Sequence, residues 1–148
     1  MKILIKNGRL VDPASGLDQV GDLAITSGRI SAIGQPNADF AADRVIDATG
    51  KIVVPGLVDL AARLREPGHE HEGMLESELA AAAAGGVTSV VCLPDTDPTL
   101  DEPGLVEMLK LRARKLSRCR LFPLGALTRG LKGENLTEMA ELHEAGCV

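Results

Sequence analysis

The strongest constraint on the fold is a spacing. Short apolar runs centred near Val58, Val90 and Phe122 recur at equal separations of 32 residues, with helix-like stretches between them. Parallel strands cannot be joined by a tight turn; each pair needs a crossover of a dozen residues or more, and a helix is the usual means. A constant unit of this length predicts successive βα units side by side in one parallel sheet, as in an α/β barrel. The first helix is expected over about residues 75–84, with Glu76 and Glu78 near its positive amino end and Gly85 as a C′ stop. A second is expected over 103–116, acidic at its start and basic at its end through Lys110, Arg112, Arg114 and Lys115. A third is expected over 136–145, after which Gly146-Cys147-Val148 should begin a fourth strand.

Residues 2–54 follow a different grammar. Short strand-like runs, Ile3 to Lys6, Arg9 to Val11, Asp22 to Thr26, Ile30 to Ile33 and Val45-Ile46, are split by turn signals at Asn7-Gly8, Pro13-Ala14-Ser15-Gly16, Ser27-Gly28-Arg29 and Ala48-Thr49-Gly50. Asn-Gly between alternating apolar residues is the strongest short hairpin signal, so a hairpin is expected at Asn7-Gly8. The chain thus divides into a small β module over 1–54 and a βα region over 55–148.

A closed eight-stranded α/β barrel takes about 250 residues. The 148 residues here cannot complete one, and the chain reads as the amino-terminal part of a longer protein. Hydrophobic content of 45% with 25% charged residues is that of an ordinary globular chain. No apolar run approaches the roughly 20 residues of a membrane span. The net charge of −5 offers no general attraction to phosphate backbones, and two phenylalanines without tyrosine or tryptophan leave little for bases to stack on, which argues against nucleic acid. Cys92, Cys119 and Cys147 are odd in number and form no Cys-x-x-Cys, so buried free thiols in a reducing cytosol are expected. The start, Met1 to Lys6, lacks a continuous apolar core of export-signal length.

Several motifs belong together: Ile3-Leu4-Ile5-Lys6-Asn7-Gly8, Val53-Val54-Pro55-Gly56, the run from Leu57 to Gly68, Ala81-Ala82-Ala83-Ala84-Gly85-Gly86-Val87-Thr88, and Leu93-Pro94-Asp95-Thr96-Asp97-Pro98. Taken together they resemble the dihydroorotases of the amidohydrolase superfamily of metal-dependent barrels, over essentially the whole chain. The resemblance implies the fold class: α/β, the first three βα units of an amidohydrolase-type TIM barrel, incomplete, preceded by strands of a small β-sandwich domain.

The resemblance also exposes departures. In the family, histidines at the places of Ala61 and Arg63 hold a zinc that activates water to hydrolyse a cyclic amide. Alanine has no lone pair to offer, and arginine stays protonated and repels a cation. Positions 61, 63 and 65 are expected to share one strand face by period-two geometry. Arg65 matches the family residue that binds the substrate carboxylate; the alternative is an ion pair with Glu66 or another acid. Asp95 stands where the family usually has an asparagine contacting the same carboxylate. Two carboxylates about 4 Å apart repel by about 4 kcal/mol at an effective dielectric of 20. Asp95 and Asp97 also suit turn chemistry before Thr96 and Pro98. Adjacent strands are expected to bring Arg63 and Asp95 together as an internal ion pair in the metal's place.

His69-Glu70-His71-Glu72 contains a His-x-His of its own. It follows Pro67-Gly68, where a strand should have ended, so a solvated loop is expected rather than a relocated metal site. His143 is expected to be structural. No Gly-x-x-x-x-Gly-Lys, Gly-x-Ser-x-Gly or Gly-x-Gly-x-x-Gly occurs.

Two functions follow from the resemblance. In the first, the chain is a catalytically inactive dihydroorotase-like subunit with no catalytic residues, metal or cofactor, with Arg65 and Asp95 as vestiges of substrate binding. It would support assembly of the catalytic chain of aspartate carbamoyltransferase, as a hetero-oligomer, in cytoplasmic pyrimidine biosynthesis, without nucleic acid or membrane. In the second, it is an active zinc amidohydrolase, a dihydroorotase, using His69, His71 and ligands beyond residue 148. A structural relic without a partner is a further possibility.

Overall fold

The computed structural model describes residues 1–37, 39–116 and 118–148. The chain forms two compact units, Met1–Pro55 and Gly56–Val148.

The first unit is a single sheet of β1 (Lys2–Asp12), β2 (Leu17–Thr26), β3 (Arg29–Gly34), β4 (Arg44–Asp47) and β5 (Ile52–Val53), with strand order β3-β2-β1-β4 and β5 paired to the far end of β1. The β1–β2 and β2–β3 pairs are antiparallel, while β4 and β5 run parallel to β1. The hairpin expected at Asn7-Gly8 does not form. Residues on both sides of it pair with β2, Ile3 with Ile25 and Leu10 with Gln19, and the register shifts between Ile5 and Gly8. Asn7 takes the left-handed conformation, φ 61°, and its amide donates to Asp22 Oδ1 at 2.9 Å, so the dipeptide is a bulge inside one long strand. Gly8 is needed for close approach, since a Cβ there would lie 2.7 Å from Val53 Cγ2. The chain reverses instead after Asp12, whose carboxylate accepts the Ala14 amide and the Ser15 hydroxyl. It reverses again at Ser27-Gly28, where both residues have positive φ, as a two-residue type I′ hairpin demands.

The second unit alternates β6 (Leu57–Ala62), α1 (Leu75–Ala84), β7 (Val87–Cys92), α2 (Pro103–Leu116), β8 (Arg120–Pro123) and α3 (Met139–Ala145). The three strands are parallel in the order β6-β7-β8. Leu75 and Leu79 of α1, Leu109 and Ala113 of α2, and Val90, Cys92 and Leu121 of the strands form the core with Leu64 and Leu100.

Helices α1 and α2 lie where the periodicity placed them. Gly85, expected as the left-handed stop of α1, has φ −79°; Gly86, with φ 84°, takes that conformation, and the amides of both return to Ala81 and Ala83 carbonyls. Asp101 and Glu102 precede α2, so its first turn contains no acid. Helix α3 starts three residues later than expected because 128–137 closes on itself: Thr128 bridges Leu136 and the buried Thr137 hydroxyl donates to Ala126 O at 2.7 Å. Residues 146–148 do not form a strand. Gly146 caps α3 in the left-handed conformation, and the Val148 amide donates to Pro123 O. Among the described residues, no helix is long and apolar enough to cross a membrane.

Candidate functional site

The carboxyl ends of the three strands are held level by the Leu93 amide on Ala62 O and the Leu124 amide on Cys92 O. In an α/β barrel this is the end where chemistry is placed. Strand β6 stops at Ala62, short of Arg63 and Arg65. Asp59 Oδ1 accepts the Ala61 amide at 3.0 Å, and the β6–β7 register shifts between Asp59 and Ala62. Arg65 is left-handed, φ 63°. Positions 61, 63 and 65 therefore do not share one strand face; a local carboxylate contact and a backbone turn break the period-two pattern.

Arg63 and Asp95 meet as expected, with Nε donating to Oδ2 at 2.6 Å. Their side chains are 58% and 35% exposed, so solvent screens the pair and it contributes only about 0–1 kcal/mol. Its consequence is electrostatic: position 63 carries a neutralised cation. Arg65 is ion-paired too, not with Glu66 but with Glu72, at 3.0 Å from Nε to Oε2.

Glu66, expected from sequence only as an alternative partner for Arg65, is 2% exposed and ties the loop after β6 to two helices. Its Oε2 accepts the Leu75 amide at the first residue of α1 at 2.7 Å. Its Oε1 has no hydrogen bond of good geometry among the described residues and faces the Arg112 guanidinium of α2 as an ion pair. No local pattern announces this role, because both partners are remote in sequence.

The loop over residues 66–72 is turn structure, as expected. The His69 and His71 ring centroids are 6.2 Å apart and edge-on, and His71 Nε2 lies 3.7 Å from Glu72 Oε1. Both oxygens of Glu70 accept the Gly68 amide, which holds its carboxyl below the usual range, with smaller help from Arg112 and His69. Gly68, at φ 98°, is pressed against the loop after β7: a Cβ would fall 2.2 Å from Asp97 O, and the Asp97 amide donates to Pro67 O. Asp97 serves that loop contact, while Thr96 closes its own turn onto Pro98 O. Among the described residues, no three or more His, Cys, Asp or Glu side chains are grouped as a metal would require. His143 is exposed in the last turn of α3. All three cysteines are free thiols.

The pair Ala61 and Arg63 does not fit a divalent cation. One offers no electron pair, and the other places a fixed positive charge there, already engaged by the nearest carboxylate. The geometry presents two internally neutralised arginines on loops clamped from behind by Glu66.

Parallel strands with helical crossovers, entered from a small β sheet, define an amidohydrolase-type fold. The L-hydantoinase (dihydropyrimidinase) of Arthrobacter aurescens superposes on 98% of this chain with a TM-score of 0.85 and 29% identity, the match covering 31% of that enzyme. The dihydro-orotase-like family model matches residues 50–148, and the chain belongs to that family. It is 51% identical over all 148 residues to a dihydroorotase-like protein of Pseudomonas aeruginosa and 47% identical to a dihydroorotase of Pelobacter propionicus. The chain spans 35% of the length of each, about a third of the curated relatives it matches.

Proposed function

We propose that this chain is part of a catalytically silent dihydroorotase-like subunit. In this reading it binds no zinc and supports assembly of the catalytic chain of aspartate carbamoyltransferase in cytoplasmic pyrimidine biosynthesis. The observation that carries the reading is the Arg63–Asp95 ion pair at 2.6 Å; in this reading the pair stands in for a metal ligand, and Ala61 offers none. Arg65 is engaged by Glu72, so a ligand carboxylate has to displace an internal one, and Asp95 adds like-charge repulsion. The name dihydroorotase-like, carried by the 51%-identical Pseudomonas relative, is in keeping with this.

The competing reading, an active zinc amidohydrolase, draws support from the name dihydroorotase carried by the Pelobacter relative. Three measurements on the full-length protein separate the two. Metal analysis is expected to find substoichiometric zinc, assay with dihydroorotate no turnover, and native mass measurement a hetero-oligomer with the transferase chain. Stoichiometric tightly held zinc together with hydrolysis would establish the enzyme instead. Absence of the hetero-oligomer would remove the assembly role.

A further inference from the structure

Six of the sixteen Lys and Arg residues fall between Lys110 and Arg120, a segment with no Asp or Glu, in a chain of net charge −5. Cations in the last turn of α2, Arg114 and Lys115, are accounted for by the negative end of the helix dipole. Arg118 and Arg120 are not, since they lie beyond the helix, on the turn into β8 and at the first residue of that strand.

Arg118 and Arg120 line a cavity of about 560 Å³, within the range of small-molecule sites. Lys110, Arg114, Arg118 and Arg120 supply its charge, and Leu121 and Phe122 line it with apolar surface. No carboxylate lies within ion-pairing distance of Lys110, Arg118 or Arg120 among the described residues, whereas Arg63, Arg65 and Arg112 are each paired to one. Lys110 is held in place by its ammonium donating to Ala145 O at 2.8 Å. The Cys119 thiol, also on the wall, is occupied by the Leu79 and Val87 carbonyls. The cavity sits at the amino ends of β7 and β8, through Thr88 and Arg120, opposite the end that carries Arg63 and Asp95.

We propose that this cavity is a binding site for an organic phosphate, a phosphate monoester with an apolar body. Guanidinium forks pair with phosphate oxygens, several cations match a dianion better than the single charge of a carboxylate, and a concave cationic wall focuses the field on it. The apolar surface of Leu121 and Phe122 favours an ester over the inorganic ion. The site is independent of the proposed loss of hydrolase chemistry, and its test reads no activity.

The experiment is calorimetric titration of the full-length protein with phenyl phosphate and with inorganic phosphate at low salt. Phenyl phosphate is expected to bind saturably and about tenfold more tightly than inorganic phosphate. The double variant Arg118→Ser, Arg120→Ser is expected to weaken it by at least about tenfold, with the protein still folded by circular dichroism. Arg63→Ala is expected to leave it unchanged. No saturable binding at concentrations up to about 10 mM, or equal binding by the double variant, overturns the proposal. So does equal affinity for the two probes, which removes the ester.

Discussion

Two ion pairs in the second unit look alike in a contact map and differ in consequence. Arg63 and Asp95 lie in solvent, and either partner can be rehydrated when the other is removed. Glu66 is 2% exposed, so a charge left alone there has no water to turn to. Asp95→Asn is therefore expected to change unfolding free energy by less than about 1 kcal/mol, and Arg112→Ala to lower it by about 3 kcal/mol. Glu66→Leu, which also strands the Leu75 amide, is expected to cost a similar amount, about 3 kcal/mol. Urea titrations of the full-length variants measure all three. A loss for Asp95→Asn equal to that for Arg112→Ala would contradict this ranking. The identities at 61, 63, 65 and 95 were readable from sequence because each stands in a motif, which 65 keeps and the other three depart from. The role of Glu66 was not, since its meaning lies in burial and in partners on α1 and α2.

At the scale of elements, the strand ends are set by loops packing on loops. The loop after β6 meets the loop after β7 at Gly68, where left-handed backbone and contact with Asp97 coincide. Gly68→Ala is expected to lose about 2 kcal/mol or more, because both the backbone conformation and the space are wrong. Gly133→Ala, left-handed but open, should lose only about 1 kcal/mol. Thermal unfolding of the two variants side by side makes the comparison, and equal losses would show that the loop contact is not tight. Helix α2 was legible from its apolar period and α1 from its end residues, Glu76, Glu78 and the glycines after Ala84, since both pack on one sheet. Asn7-Gly8 misled because a hairpin and a bulge ask for the same left-handed backbone. Only the pairing of both flanks with β2 distinguishes them.

For the second unit as a whole, the core carries a titratable group. Burial, with a smaller contribution from Cys147, pushes the Cys92 thiol up to about 12. Between an unfolded value of about 9 and that folded value, the folded chain retains a proton the unfolded chain has lost. Protons bound in the unfolded state are then the fewer, so stability falls as pH rises through this window, by at most about 1.4 kcal/mol per pH unit. Stability below about pH 9 is unaffected by this group. The difference in pH slope between the wild type and Cys92→Ala isolates it, and identical slopes would show that the thiol is not shielded. The alternation of strand and helix, the turn signals that divide the chain near Pro55 and the absence of histidine at positions 61 and 63 were determined by sequence alone, because periodicity, turn chemistry and residue identity are local properties. The tertiary structure decided that Arg65 faces Glu72, that Glu66 joins the loop to two helices, and that Arg118 and Arg120 share a cavity with Lys110. Each of these depends on which distant segments the sheet brings within a few ångströms, and neither spacing nor composition encodes that distance.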